Sequence, residues 1–411
     1  MSWKPKLAIM ATMTDQKTER QYYIDWLRIL LIISVFLFHI GMIFNTWPWH
    51  IKNDQQYGGL LRQGMTFLHY WRMPLLFMLS GAGTFFALGK RTPGQYLSER
   101  FKRLVIPLAI GIFTLVPVQV YIEKINLYGS LPEFYSHMFD GIYPDGNFSW
   151  HHLWFIAYLF VISLFITPFL NFLRSQRFQR FTLRIENIVI NPLALNIFII
   201  PLLLSQIILR QYFETETNDL VNDWASLTYY IIFFLAGFIL LPVRNITEAM
   251  RKYRLWYLAE VVAATFVMFK VPGLAKSADS GDIIRDVSSI FLAWSCAMTA
   301  IGFAKQYLNR NSLLRKLANE AIYPFYLLHQ PVIVVMGFFI IHLDIAVVWK
   351  VIIVMISSFT LSASIYWILI RRFNILRIIF GMKKLEKTKK DSEISKVIEP
   401  VIVTNEMSIS A

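Results

Sequence analysis

Ten stretches of mostly apolar sequence recur along the chain, at 25–45, 65–88, 104–122, 152–173, 189–208, 225–242, 255–271, 283–304, 321–341 and 347–370. Each is about 17–25 residues long, enough to cross a hydrocarbon core of about 30 Å as a helix. Lipid offers no partners to backbone N–H and C=O groups, so a spanning segment of this kind must be helical. The pattern predicts an all-α fold, a polytopic membrane helix bundle of about ten transmembrane helices. Two features bear on single spans. Glu260 lies within 255–271, and Pro201 interrupts 189–208, where it is expected to kink the helix.

The remaining composition agrees. Charged residues make up 16% of the chain, against about a quarter in soluble proteins. The net charge of +14 would suit a phosphate-binding surface. The basic residues fall instead in short clusters between apolar runs, a pattern of membrane topology and not of nucleic-acid contact. One cysteine, Cys296, allows neither a disulfide framework nor a thiolate metal site. The sparse carboxylates and histidines show no ligand spacing, so no metal is expected. Residues 1–20 lack an apolar stretch followed by a small-residue cleavage site, which points to a retained first span.

The loops set an orientation. Loops 89–103, 174–187, 243–254 and 305–320 carry 17 Lys/Arg and four acidic residues; the alternate set carries 8 and twelve. Basic loops stay cytoplasmic, so both termini are expected inside, with residues 1–24 as a cytoplasmic N-terminal segment. Residues 25–371 form the ten-helix domain, and 372–411 a basic, disordered cytoplasmic tail. No internal repeat is apparent.

Ionisable residues inside such spans need a partner or a wet cavity. Arg28 stands near the cytoplasmic end of the first span, and His39 lies toward its outer end. The second span runs the opposite way and carries His69 and Arg72 in its outer third, at the depth of His39. His151 and His152 open the fourth span from outside. Arg100 and Arg103, three apart, can share a helical face beside Arg28 on the cytoplasmic side. A cationic inner mouth and a histidine-rich outer layer suit a phosphorylated donor inside and a hydroxyl acceptor outside, because arginines grip phosphates and histidine takes protons near neutrality. Plainer readings stand beside this one. The arginines can be positive-inside flanks, Asp25 a helix-dipole charge or a partner for Arg28, and His39, His69 and His329 helix–helix hydrogen-bonding residues. Glu260 reads equally as a paired or a protonated structural acid.

Five ordered motifs add a resemblance. R-x10-H from Arg28 to His39, FMLSG including Ser80, RFKRLVIP from Arg100, HLWF with His152 and Trp154, and FYLLHQP with His329 resemble the acyltransferase 3 family of integral membrane proteins. YYIDWLRILL, WPWHIKND and the HLWF segment are most similar to its membrane glucan succinyltransferase-like branch. The resemblance implies an acyltransferase that moves an acetyl or succinyl group from cytoplasmic acyl-CoA to a hydroxyl of an envelope glycan or other extracytoplasmic acceptor, in the inner membrane. It casts His39 as the catalytic histidine and Arg28 as its paired arginine. Arg100 and Arg103 match the family's basic motif, and Ser80, His152, Trp154 and His329 occupy further motif positions. On this reading acyl-CoA is a co-substrate and no cofactor is permanently bound. Arg28, Arg100 and Arg103 would hold its phosphates, His39 would act as base or acyl carrier, and Arg72 would stabilise the oxyanion. The rival class is a transporter or flippase using the same polar track, with Glu260 as the proton-coupling acid. A non-catalytic scaffold is the third possibility.

Overall fold

The computed structural model describes residues 21–88, 91–173, 175–188, 191–213, 216–271 and 278–385. Most of the N-terminal segment and the last 26 residues of the tail lie outside them. Helices occupy all ten apolar positions: α1 (Tyr22–Phe44), α2 (Gly59–Leu88), α3 (Pro93–Glu123), α4 (His151–Leu173), α6 (Pro192–Leu209), α7 (Trp224–Leu240), α9 (Arg254–Lys270), α10 (Ala278–Tyr307), α11 (Leu313–Ile341) and α12 (Val347–Ile370). Two basic loops are themselves helical, as α5 (Gln176–Ile188) and α8 (Arg244–Lys252), and α13 (Asn374–Ile379) follows α12. Among the described residues, eight helices can cross a membrane by length and apolarity, α10 through its segment Asp282–Tyr307. The count rises to nine if α7 and α8, bent by 105°, form one broken span. At 17 residues each, α7 and α9 are the shortest of the ten, at the lower limit for a span. No named strand occurs among the described residues. The fold is an all-α polytopic membrane bundle.

Contacts give the helix directions. Asp25 pairs with Arg315, Phe36 meets Phe325 at 5.5 Å and His39 meets His329. The nearly constant offset means that α1 and α11 run parallel. Phe77–Tyr230 and Phe85–Phe238 contacts make α2 and α7 parallel in the same way. Arg28 beside Gly83 and Met65 against Gly41 make α1 and α2 antiparallel. These directions fit the alternation read from the loops.

Three prolines place polar contacts between helices. A proline lacks an N–H and frees the carbonyl four residues earlier. Pro107 frees Arg103 O, which accepts from the Tyr323 hydroxyl at 2.8 Å; Pro117 frees Phe113 O for the Tyr135 hydroxyl at 3.1 Å. Pro331 frees Leu327 O, which faces His152 Nε2 at 3.1 Å. Neighbouring side chains thus satisfy carbonyls that lipid would leave bare. Pro201 behaves otherwise. The irregularity in α6 is a 3-10 turn at Asn196–Phe198, and Pro201 sits in the first turn of the helix that follows, where its missing N–H costs little.

The polar core explains two residues left open by the sequence. Arg315, 1% exposed, donates to Asp25, whose other oxygen lies 3.8 Å from Arg28. Removing Arg315 takes the closest cation from a largely covered carboxylate and leaves only Arg28 near it, so Arg315→Leu is expected to destabilise the protein by about 1.5–3 kcal/mol, the worth of a charge-assisted hydrogen bond. Thermal unfolding in detergent would show this as a drop of several degrees in Tm; an unchanged Tm would mean that the pair contributes nothing. Glu260 accepts from Asn196 Nδ2 (2.7 Å), Trp256 Nε1 (2.8 Å) and Ser295 Oγ (3.1 Å). These donors tie α6, α9 and α10 together around one carboxylate. Three fixed donors suit a structural hub better than a proton-carrying acid.

Beyond residue 371 the chain does not at once become a free tail. Arg377 in α13 pairs with Glu320 at 3.1 Å and donates to Lys383 O, and the Leu385 N–H donates to Asn374. The disorder expected of 372–411 is therefore not found through residue 385, because these polar anchors hold the segment against α11.

Candidate active site

One polar cluster begins with His39 on α1. Its Nδ1 lies 2.9 Å from Nε2 of His329, whose own Nδ1 lies 2.5 Å from Tyr326 O. A carbonyl only accepts, so His329 carries its proton on Nδ1 and offers a lone pair at Nε2. Neutral His39 must then donate from Nδ1, which leaves the lone pair on its Nε2. The parallel packing of α1 and α11 thus fixes the tautomer of a half-buried imidazole, with Nε2 unpartnered among the described residues.

His152 joins from the start of α4. It donates from Nε2 to Leu327 O, and its ring stands edge-on to His329 at 5.4 Å. Arg72, 5% exposed, lies with its guanidinium 3.4 Å over the ring of Phe38, next in sequence to His39. Its Nε and Nη1 are buried without a partner, within electrostatic reach of His39 and His329. An arginine held on an aromatic face with free N–H groups is a preorganised donor for developing negative charge.

At the opposite end of α1, Arg28 and Arg100 meet at one small patch of α2. A Cβ on Gly83 would lie 3.5 Å from Arg28 Nη2, and Arg100 Nη2 donates to the hydroxyl of Thr84 at 2.9 Å. Arg103 does not join them. A π-helical turn at Phe101–Val105 widens the winding between the two arginines. Arg103 turns to Glu99 at 3.1 Å, which also holds Arg91.

The other motif positions are structural in their contacts. Ser80 donates back to Leu76 O within its own helix, and its neighbour Gly81 lets α2 approach α7. Trp154 packs with Tyr158 at 5.2 Å and Tyr230 at 5.4 Å, apart from the histidines.

Several further residues gather at the His39 end of the bundle without having been expected there. Trp49 lies parallel to His39, at 6.0 Å and 10°. His50 is 2.5 Å from Glu123 through Nδ1 and 3.2 Å from the Gln330 amide through Nε2. Lys52 donates to the carbonyls of Met42, Asn45 and Trp47, capping α1 and fixing the loop that carries Trp49. Burial draws its ammonium down to about 8. Glu216, in the loop before α7, reaches His69 at 3.3 Å and Tyr230 at 3.5 Å. Burial raises its carboxyl, but His69 and Arg210 outweigh that and hold it below the ordinary value. The WPWH stretch is conspicuous in sequence, whereas Glu216 has no local signal because its partners lie far along the chain.

Comparison with known proteins supplies the context for this arrangement. Residues 21–367 match the acyltransferase domain family. Glucans biosynthesis protein C of Salmonella paratyphi B, of Salmonella heidelberg and of Salmonella enteritidis PT4 is in each case 25% identical over 159 residues. The match covers 37% of this chain and 39% of each relative, so the chain spans about two fifths of their length. No solved structure matches. Since the family match runs through nearly the whole apolar bundle, the chain belongs to the acyltransferase 3 family of multi-pass membrane proteins.

Proposed function

We propose that the protein moves an acyl group, acetyl or succinyl, from cytoplasmic acyl-CoA to a hydroxyl of an envelope glycan on the far side of the inner membrane, with both termini cytoplasmic. The observation that carries this reading is the Tyr326 carbonyl–His329–His39 chain, which leaves a lone pair at His39 Nε2. In the proposed step His39 Nε2 takes the proton of the acceptor hydroxyl as its oxygen bonds to the thioester carbonyl carbon. The C–S bond then breaks, the acyl ester forms, and the imidazolium returns the proton to the departing CoA thiolate. His329 accepts from Nδ1 throughout and steadies the imidazolium. The free N–H groups of Arg72 suit the oxyanion.

Arg28 and Arg100 suit the donor's phosphates. Arg28 lies about 16 Å from His39, counted as eleven residues of helix rise, a separation that an extended pantetheine arm is meant to bridge. Arg100→Ala is expected to raise KM for acyl-CoA roughly tenfold or more, the loss of one charge-assisted hydrogen bond, with a smaller effect on the acceptor KM. Equal changes in both would argue against donor binding there.

The test is covalent transfer from labelled acetyl-CoA and succinyl-CoA to envelope glycan by the purified protein. Label on glycan is expected with one donor preferred. Glycan that crosses a bilayer unlabelled would favour a flippase, a role for which the satisfied Glu260 offers no support. Glucans biosynthesis protein C, by its name, serves glucan synthesis, which makes glucan the first acceptor to try.

A further inference from the structure

Two consecutive histidines at the outer end of α4 each keep one ring nitrogen buried without a partner, His151 Nε2 and His152 Nδ1. His152 donates from Nε2 to Leu327 O, so its Nδ1 carries a lone pair. The Ser149 hydroxyl oxygen accepts from the backbone N–H of His151 at 3.0 Å and lies 3.4 Å from its Nδ1; when that hydroxyl donates to Nδ1, the ring proton of His151 is on Nε2. One buried donor and one buried acceptor then stand on consecutive residues. Unpaired groups of this kind are costly in a folded protein and call for an explanation.

The backbone shows the same bias. His151 adopts φ +39°, in the left-handed region that side chains other than glycine rarely enter. Such a conformation persists only where its surroundings enforce it. Here the imidazole is clamped edge-on between Tyr143 at 4.6 Å and His50 at 4.5 Å. His50 is in turn fixed by Glu123 and Gln330.

The two histidines also complete a belt of rings that includes the proposed base. Ring centroids step from His152 to His329 (5.4 Å), to His39 (5.0 Å), to Trp49 (6.0 Å), to His50 (5.3 Å) and to His151 (4.5 Å). The last and first members are neighbours in sequence, so the belt closes. A hydroxyl group donates once and accepts as well, which matches His152 Nδ1 and His151 Nε2 together.

We propose that His151 and His152 bind a second hydroxyl of the acceptor, so that the site selects polyhydroxylated, saccharide-like molecules over simple alcohols. His151 is then a positioning residue for the acceptor. The inference rests on the acyl-transfer reading above, since it presupposes that His39 acts on a first hydroxyl of the same molecule.

The experiment compares a glucose oligosaccharide with its deoxy analogues, each lacking one hydroxyl near the acylated position, in wild type, His151→Ala and His151→Gln. With wild-type protein, one deoxy analogue is expected to lose about tenfold in kcat/KM, the worth of one hydrogen bond. His151→Ala should show the same loss with the full acceptor and no further penalty with that analogue, with KM for acyl-CoA unchanged. His151→Gln, which keeps an N–H donor, should restore part of the discrimination. A deoxy penalty of equal size in wild type and His151→Ala overturns the proposal, as does wild-type indifference to every deoxy analogue. Should His151→Ala not fold, the His151→Gln comparison and the wild-type series carry the same decision. Absence of any transfer to saccharide by wild type, with transfer to a simple alcohol, would refute this selectivity; no covalent transfer to any hydroxyl would refute the acyl-transfer reading itself.

Discussion

His39→Ala is expected to lower kcat by about 10²–10⁴-fold, the usual contribution of a positioned general base, while KM for acyl-CoA changes little. Arg28, proposed with Arg100 to hold the donor, lies toward the other end of α1, and neither arginine touches the imidazole, so donor binding should survive. The neighbouring residue sharpens this test. His329 acts through His39 by accepting from its Nδ1 at 2.9 Å. His329→Ala should therefore cost activity alone, but add little to His39→Ala, because residues acting as one unit are strongly non-additive. Steady-state kinetics of the two single variants and the double variant would settle the matter. Independent, multiplying losses would separate His329 from the base.

The second large effect concerns folding. Met78 and Gly81 of α2 lie against Gly237 and Phe234 of α7 with almost no side chain between the backbones. A Cβ on Gly237 would fall 1.8 Å from Met78 O, and one on Gly81 would fall 1.9 Å from Phe234 O. Both neighbours are backbone atoms, which cannot swing aside. Small residues at membrane helix crossings allow this approach, and packing is the main force available there. Gly237→Leu is expected to leave no monodisperse protein on size-exclusion chromatography in detergent. Gly64→Ala is the control. Its Cβ would meet nothing within 4 Å, and alanine in a helix interior is worth up to about 1 kcal/mol over glycine. That variant should behave as wild type or better. Intact Gly237→Leu would mean that the α2–α7 crossing is looser than its geometry implies.

The sequence disclosed what membrane physics imposes and withheld what long-range packing decides. Apolar runs and the alternation of basic loops gave the helices and directions that agree with the parallel pairing of α1 with α11. Antiparallel neighbours put Arg72 at the depth of His39, and both lie beside Phe38. The meeting of His39 with His329 was not legible from spacing alone, since 290 residues separate them and only the resemblance joined their motifs. Two of the three donors to Glu260, Asn196 and Ser295, come from other helices and leave no local trace. The π-turn that swings Arg103 to Glu99 was also hidden, because an ordinary helical count puts Arg100 and Arg103 on one face. Proline carried more information than its kinks suggested: Pro107, Pro117 and Pro331 each free a carbonyl that a distant side chain occupies.

The most direct measurement is the sidedness of transfer. Sealed proteoliposomes would receive labelled acyl-CoA on one face only, with glycan either enclosed on the other face or supplied on the same one. If Arg28 and Arg100 hold the donor while His39 serves the opposite mouth, label should reach glycan across the bilayer, and His39→Ala should abolish it. Label confined to glycan on the donor's own face would contradict a reaction that runs through the bundle.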